Sequence, residues 1–289
     1  MASPLPTGYL NGEWLPLAET RISPFDRGFL FGDAVYEVIP VFASRAYRFD
    51  AHIDRLERSL AALRIDTPAD REGWRRICGG LVHRNGGGDL SLYLQVSRGA
   101  EFGRNHVPPP GLTPTVFGFV TPLAPRPETD PGIACITAED IRWHLCDIKS
   151  TTLLANVLLR WRAVESDAVE AILLRDGEVR EGSYSSVHVV RGGRLLSPPL
   201  DHEVLPGTTR GVLLELAARA GIPTAIERIS VDELRRAEEV IVGAATLLVR
   251  PVVRLDGEPV GTGAPGPVFL VLRRMFEDAL HEMSTDLPG

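Results

Sequence analysis

Lysine is almost missing from this chain. Of 289 residues, 31 are lysine or arginine, and Lys149 is the single lysine among them. Cysteine is scarce as well: Cys78, Cys135 and Cys146 are too few, and odd in number, for a disulfide framework. No CxxC motif and no His/Cys pair has zinc spacing, so no metal site is expected. The first residues, MASPLPTGYLNGEW, lack a basic start followed by an apolar core, so no signal peptide is read there. The longest uncharged stretch, 105–125, holds six prolines, which excludes a membrane helix within it. Positive charge is also in deficit. The formal net charge is −7 and the sequence pI about 5.6, against the basic balance of a protein that grips nucleic acid through its phosphates. Small anionic ligands remain possible, because they need only a local positive site. What is present is ordinary: 44% hydrophobic and 24% charged residues, the mix of a soluble globular protein. The expectation is a reduced, cytoplasmic chain of one large domain or two ordinary ones.

The patterning predicts an α/β (α+β) protein. Asn11-Gly12 reads as a hairpin turn within 8–15, and 35–42 is a β-branched strand. In 51–65, Ile53, Leu56, Leu60 and Leu63 recur at helical spacing, and a second helix follows over 70–84. Strands are expected at 90–97, 115–120 and 132–138. Helix 150–166, strand 168–174, a turn at Asp176-Gly177 and strands 186–190 and 194–197 come next. The pattern ends with helix 209–220, a short helix 231–237, strands 239–244 and 249–255, and a closing helix 268–281. The segment 121–131 holds four prolines and few apolar residues, which suits a linker. This gives a small domain over 1–121, a linker over 122–130 and a larger domain over 131–289.

Five features could carry chemistry. Lys149 stands at the expected start of helix 150–166, where the helix dipole favours a neutral amine. A neutral lysine can attack a carbonyl, which arginine does not do. A residual surface lysine is the competing reading. Gly207-Thr208-Thr209-Arg210 opens a helix with unpaired N–H groups and two hydroxyls, which suits an anion, although helix capping alone also selects such residues. Glu181-Gly182-Ser183 either lines a ligand or is a solvated loop. Arg55 on helix 51–65 either reaches a ligand or lies on the surface. Arg104 and His106, two apart in a loop, are donors that suit a carboxylate or belong to a mobile polar loop.

Together these segments resemble the class IV pyridoxal-phosphate-dependent aminotransferases along nearly the whole chain. The resemblance runs through 26–38, from Asp26-Arg27-Gly28 to Tyr36-Glu37-Val38, then His52-Ile53-Asp54-Arg55-Leu56 and 140–150. It continues through Glu181-Gly182-Ser183 and Gly207-Thr208-Thr209-Arg210. It implies the two-domain fold of type IV, with a small N-terminal α/β domain and a larger, barrel-like C-terminal domain that binds the cofactor. It implies pyridoxal 5'-phosphate, with Lys149 as the Schiff-base lysine and proton carrier. Glu181 would pair with the pyridine nitrogen, and Leu205 would lie against the ring. Arg55, Thr208, Thr209 and Thr246 would hold the phosphate.

Within the family the chain is most similar to the D-amino acid transaminases, which trap the substrate carboxylate with a tyrosine, an arginine and a histidine. Tyr36, Arg104 and His106 match these. The resemblance implies a homodimer that moves an amino group from a D-amino acid to a 2-oxo acid, pyruvate or 2-oxoglutarate, in ping-pong fashion. Other chemistry on the same fold would be a branched-chain L-amino acid transaminase, an (R)-amine transaminase or an aminodeoxychorismate lyase. A non-catalytic binding protein is the remaining class, and intact Lys149 and Glu181 argue against it.

Overall fold

The computed structural model describes residues 2–124 and 129–289. Its first elements are strands β1 (Thr7–Leu10) and β2 (Glu13–Pro16), helix α1 (Arg27–Phe31), and strands β3 (Ala34–Phe42) and β4 (Arg45–Tyr47). Helices α2 (Phe49–Leu63) and α3 (Arg71–Arg84) follow, then strands β5 (Leu90–Ser97) and β6 (Thr115–Pro122). Beyond 129 come β7 (Ile133–Glu139), α4 (Leu154–Glu165), β8 (Glu170–Arg175), β9 (Glu178–Gly182), β10 (Ser186–Arg191) and β11 (Arg194–Ser197). The chain continues with α5 (Thr208–Arg219), β12 (Thr224–Ile226), α6 (Val231–Arg235), β13 (Glu239–Ala244) and β14 (Leu248–Leu255). It closes with β15 (Glu258–Pro259), α7 (Pro267–Glu282) and β16 (Ser284–Asp286).

Backbone contacts divide the chain into two compact units. The first holds the described residues up to 124 together with 148–152 and 280–289, and the second holds 129–147 and 153–279. This differs from a single cut at the linker, and strand pairing is the reason. Ser150 forms an antiparallel bridge to Val35, and β16 pairs with β4. The expected linker, 122–130, lies partly outside the described residues.

In the first unit, seven strands form one sheet in the order β16-β4-β3-β5-β6-β1-β2. Asn11 and Gly12 take positive φ values of 49° and 98°, the geometry a two-residue hairpin needs between β1 and β2. Strand β3 alternates: Val35, Glu37 and Ile39 are fully buried, while Tyr36 and Val38 are half-buried. The apolar stripe of α2, Ile53, Leu56 and Leu60, joins Val35 and Ile39 in one core with Trp74, Leu92 and Leu94. In the second unit, β12-β11-β10-β13-β14-β7-β8-β9 run side by side, with β15 on the edge of β14. Strand β8 buries both faces: Ile172 joins Val187, Val189 and Val242, while Ala171 and Leu173 meet Leu159 and Ala163 of α4.

One expected element changes in a way that matters for the site. The helix expected over 150–166 begins only at Leu154, so Lys149 is not at a helix N-terminus. The backbone of 149–151 pairs with β3 instead. Among the described residues, no helix is long and apolar enough to cross a membrane, and no group of three or more His, Cys, Asp or Glu residues could hold a metal ion.

Candidate active site

In the first unit, Lys149 is held through its backbone. Tyr36 N donates to Lys149 O at 3.0 Å, Thr151 N donates to Ala34 O at 3.0 Å, and Lys149 N donates to Ser59 Oγ at 3.2 Å. Ser59 is buried on α2, so strand and helix clamp the lysine from its two backbone groups. The side chain runs over Tyr36, with Nζ 4.3 Å from the ring centroid. Tyr36 in turn stacks on Tyr93 at 5.7 Å. The structure thus places Lys149 beside Tyr36.

Behind Tyr36, on the opposite face of β3, stands a buried charge cluster. Arg55 Nε donates to Glu37 Oε1 at 2.7 Å and Arg55 Nη2 to Glu37 Oε2 at 2.8 Å. His52 Nδ1 lies 2.7 Å from Glu37 Oε2. Burial alone would raise the Glu37 carboxyl, but the charge and hydrogen bonds of Arg55, with help from His52, hold it well below the usual carboxylate range. Burial pushes His52 down, with Glu37 opposing and Arg55 and Lys149 reinforcing it. A neutral His52 then donates through Nδ1–H to Glu37. Two donors of Arg55 are therefore committed to orienting its guanidinium. Glu37 and His52 were missed as site residues by sequence reasoning. The signal was there: Glu37 sits in VYEVI at a position that strand alternation assigns to the buried face.

Arg104 and His106 are exposed on the loop between β5 and β6 and gather on one aromatic ring. Arg104 Cζ is 5.1 Å from the Phe31 centroid, and the His106 ring is 5.6 Å from it.

In the second unit, Glu181 is not a solvated loop residue. It is buried near the end of β9, after the Asp176-Gly177 turn. Arg142 Nη1 donates to Glu181 Oε1 at 2.5 Å, and Leu205 N donates to Glu181 Oε2 at 3.2 Å. Leu205 and Glu181 are thus direct neighbours. Arg142 is fixed from its other side by Asp140, through Nε and Nη2, each at 2.9 Å. Burial opposes the charge of Arg142, but the hydrogen bonds of Asp140 and the charge of Glu181 raise it above an ordinary arginine. Arg142 falls inside the 140–150 motif, yet sequence reasoning gave it no role, because only the fold brings it to Glu181.

Helix α5 begins at Thr208, after Gly207, whose backbone is extended and supplies no side-chain cap. Thr209 and Arg210 are buried in the first turn, and Thr208 is half-buried. Gly243 of β13 lets the helix approach, since a Cβ there would lie 2.9 Å from Thr209 Cγ2. Arg210 Nη2 donates to Pro198 O at 2.8 Å, while among the described residues its buried Nε has no hydrogen-bond partner. Burial lowers the Arg210 guanidinium, with Glu181 opposing. A helix start without a side-chain cap, two hydroxyls and a buried cation with a spare donor fit an anionic group such as a phosphate. Thr246 is exposed in the turn between β13 and β14.

The model of the family "Amino-transferase class IV" matches residues 34–255. The chain is 39% identical over 271 residues to a D-alanine aminotransferase of Bacillus licheniformis, covering 93% of this chain and 95% of that protein. It is 36% identical over 277 residues to a D-alanine aminotransferase of Staphylococcus aureus (strain MW2), covering 96% and 98%. Among solved structures, a T.th. branched-chain amino acid aminotransferase complexed with N-(5'-phosphopyridoxyl)-L-glutamate matches with a TM-score of 0.89 at 26% identity, covering 98% of this chain and 96% of that one. The branched-chain amino acid aminotransferase of Escherichia coli shares the fold, with a TM-score of 0.90 at 23% identity and coverage of 98% and 97%. With a family model spanning most of the chain and relatives matched almost end to end, this protein belongs to the class IV aminotransferases.

Proposed function

We propose that the chain is a pyridoxal-phosphate-dependent transaminase that moves the amino group of a D-amino acid to a 2-oxo acid, pyruvate or 2-oxoglutarate, by a ping-pong sequence. The observation that carries the reading is the one lysine, clamped through its backbone by β3 and α2 with its amine over Tyr36. The D-amino acid reading is supported by relatives at 35–39% identity that are named D-alanine aminotransferases, against 22–26% for the matched branched-chain structures.

Pyridoxal phosphate, when bound, supplies a carbonyl that condenses with amines and a ring that accepts electrons. The residues divide the remaining work. Lys149 Nζ would be the base that takes up the α-proton of the substrate and gives a proton back. Glu181, oriented by Arg142, would accept a hydrogen bond from the pyridine nitrogen, with Leu205 beside it. Thr208, Thr209, the start of α5, Arg55 and Thr246 are the residues that would hold the phosphate. Tyr36, Arg104 and His106 receive the substrate carboxylate.

We propose a homodimer as the working assembly. Helix α4 supports this: it leaves Leu154, Val157, Leu158, Trp161 and Val164 exposed, an apolar face that a lone chain would turn to water. A cytoplasmic location is supported by three free, buried thiols.

Replacing the lysine tests the reading. Lys149→Ala is expected to fold, to lose the visible absorbance of the cofactor joined to the lysine, and to lose turnover by about 10²–10⁴-fold or more. No second lysine in the chain can take over. Turnover near the wild-type rate would overturn the assignment.

A further inference from the structure

Arg27 is 3% exposed and lies at the start of α1, far along the chain from the loop it grips. Its Nη1 donates to Asn105 O at 2.6 Å and to Glu101 Oε1 at 2.5 Å, and its Nη2 donates to His106 O at 2.9 Å. Nε donates to Asp33 Oδ2 at 2.9 Å. The guanidinium also lies 4.6 Å from the Phe31 centroid, the same ring that Arg104 and His106 approach. Asp33 is shared with Arg98, which donates onward to Leu63 O at 2.6 Å and Arg64 O at 2.9 Å at the end of α2. One stem of the loop is fixed at Gly99, whose φ is +102° and where a Cβ would meet Thr113 O at 2.0 Å.

The consequence is geometric. Two exposed side chains on a surface loop would ordinarily pay an ordering cost before receiving a ligand. Here the backbone carbonyls of 105 and 106 are fixed by a buried guanidinium, and the flanking side chains converge on one ring. We propose that Arg27, with Phe31, is the positioning residue that sets Arg104 and His106 as a pre-formed receptor for the substrate carboxylate. The proposal rests on the assignment of those two residues to the carboxylate in the function proposed above. Arginine is required because its planar fork reaches two carbonyls and two carboxylates together, whereas a lysine is a single point charge.

The test compares Arg27→Lys, Arg104→Ala and the double variant in holoenzyme, with D-alanine as amino donor. Arg27→Lys keeps the buried charge that Asp33 and Glu101 face. It is expected to raise KM for D-alanine about 10-fold or more, with kcat and cofactor affinity within about threefold of wild type. Arg104→Ala is expected to raise KM as well, and Arg27→Lys added to it should change little further, since both act on one receptor. Unchanged KM in Arg27→Lys, or effects that multiply independently in the double variant, would overturn the proposal and leave the transaminase reading standing. Unchanged KM in Arg104→Ala would instead overturn the carboxylate assignment, and the proposal with it. If Arg27→Lys does not fold, Phe31→Leu carries the same comparison: a raised KM at near-normal kcat supports the mount, and an unchanged KM overturns it.

Discussion

Glu37 shows what a single residue can fix. A carboxylate at the centre of an apolar strand face is costly unless it is paired and hydrogen-bonded, and Arg55 and His52 supply both. Its pKa is depressed in the folded chain. The stabilisation from this carboxylate is therefore fully present above its unfolded-state pKa of about 4.3, and is lost as pH falls below that toward the folded value. Glu37→Gln removes the buried charge that Arg55 and His52 face and is expected to cost about 3–5 kcal/mol at pH 7. Protonated Glu37 resembles glutamine, so the gap between variant and wild type should shrink below about pH 4. Urea unfolding at pH 7 and pH 3 measures this, and an equal gap at both would contradict it. Lys149 was legible in composition alone, as the one lysine in an arginine-rich chain. That Ser59 and Tyr36 are its neighbours was not, because they are 90 and 113 positions away in sequence and are brought to it by the backbone pairing of β3 and the packing of α2.

At the level of elements, the start of α5 is the part proposed to hold the phosphate, and its approach to β13 depends on Gly243. Gly243→Ala would place a Cβ 2.9 Å from Thr209 Cγ2 and 3.4 Å from Leu213 Cδ1. It is expected to cost about 1–3 kcal/mol, by overpacking, and to weaken pyridoxal phosphate binding. Thermal unfolding and a cofactor titration check the two effects, and neither changing would contradict the role given to this contact. Most elements were legible: the Asn11-Gly12 and Asp176-Gly177 turns, the stripe of α2 and strand β5 all follow from local chemistry. The exceptions share a cause. Residues 150–153 read as helix, but β3 pairs with the backbone of Ser150 and Thr151, so α4 starts late. Strand β9 ends on Glu181-Gly182, which read equally as ligand-lining residues or as a solvated loop. It is a buried strand because Arg142 and Glu203 pair its charges from other segments.

For the molecule as a whole, the charge of −7 means that acids outnumber the arginines and the one lysine. The unpaired apolar face of α4 belongs to this scale. Trp161 is 62% exposed and Leu158 48%. Leu158→Glu with Trp161→Glu is expected to halve the mass seen by sedimentation while leaving the fold intact, because neither side chain belongs to the core. A wild-type mass already equal to one chain would contradict the homodimer.

The most direct measurement is the absorbance spectrum of the chain loaded with pyridoxal phosphate, recorded before and after D-alanine and, separately, L-alanine. The expected result is a visible band that bleaches with the D-amino acid and persists with the L-amino acid. A band that bleaches only with the L-amino acid would keep the family and overturn the assignment of Tyr36, Arg104 and His106. No band in the loaded chain would contradict the central role of Lys149.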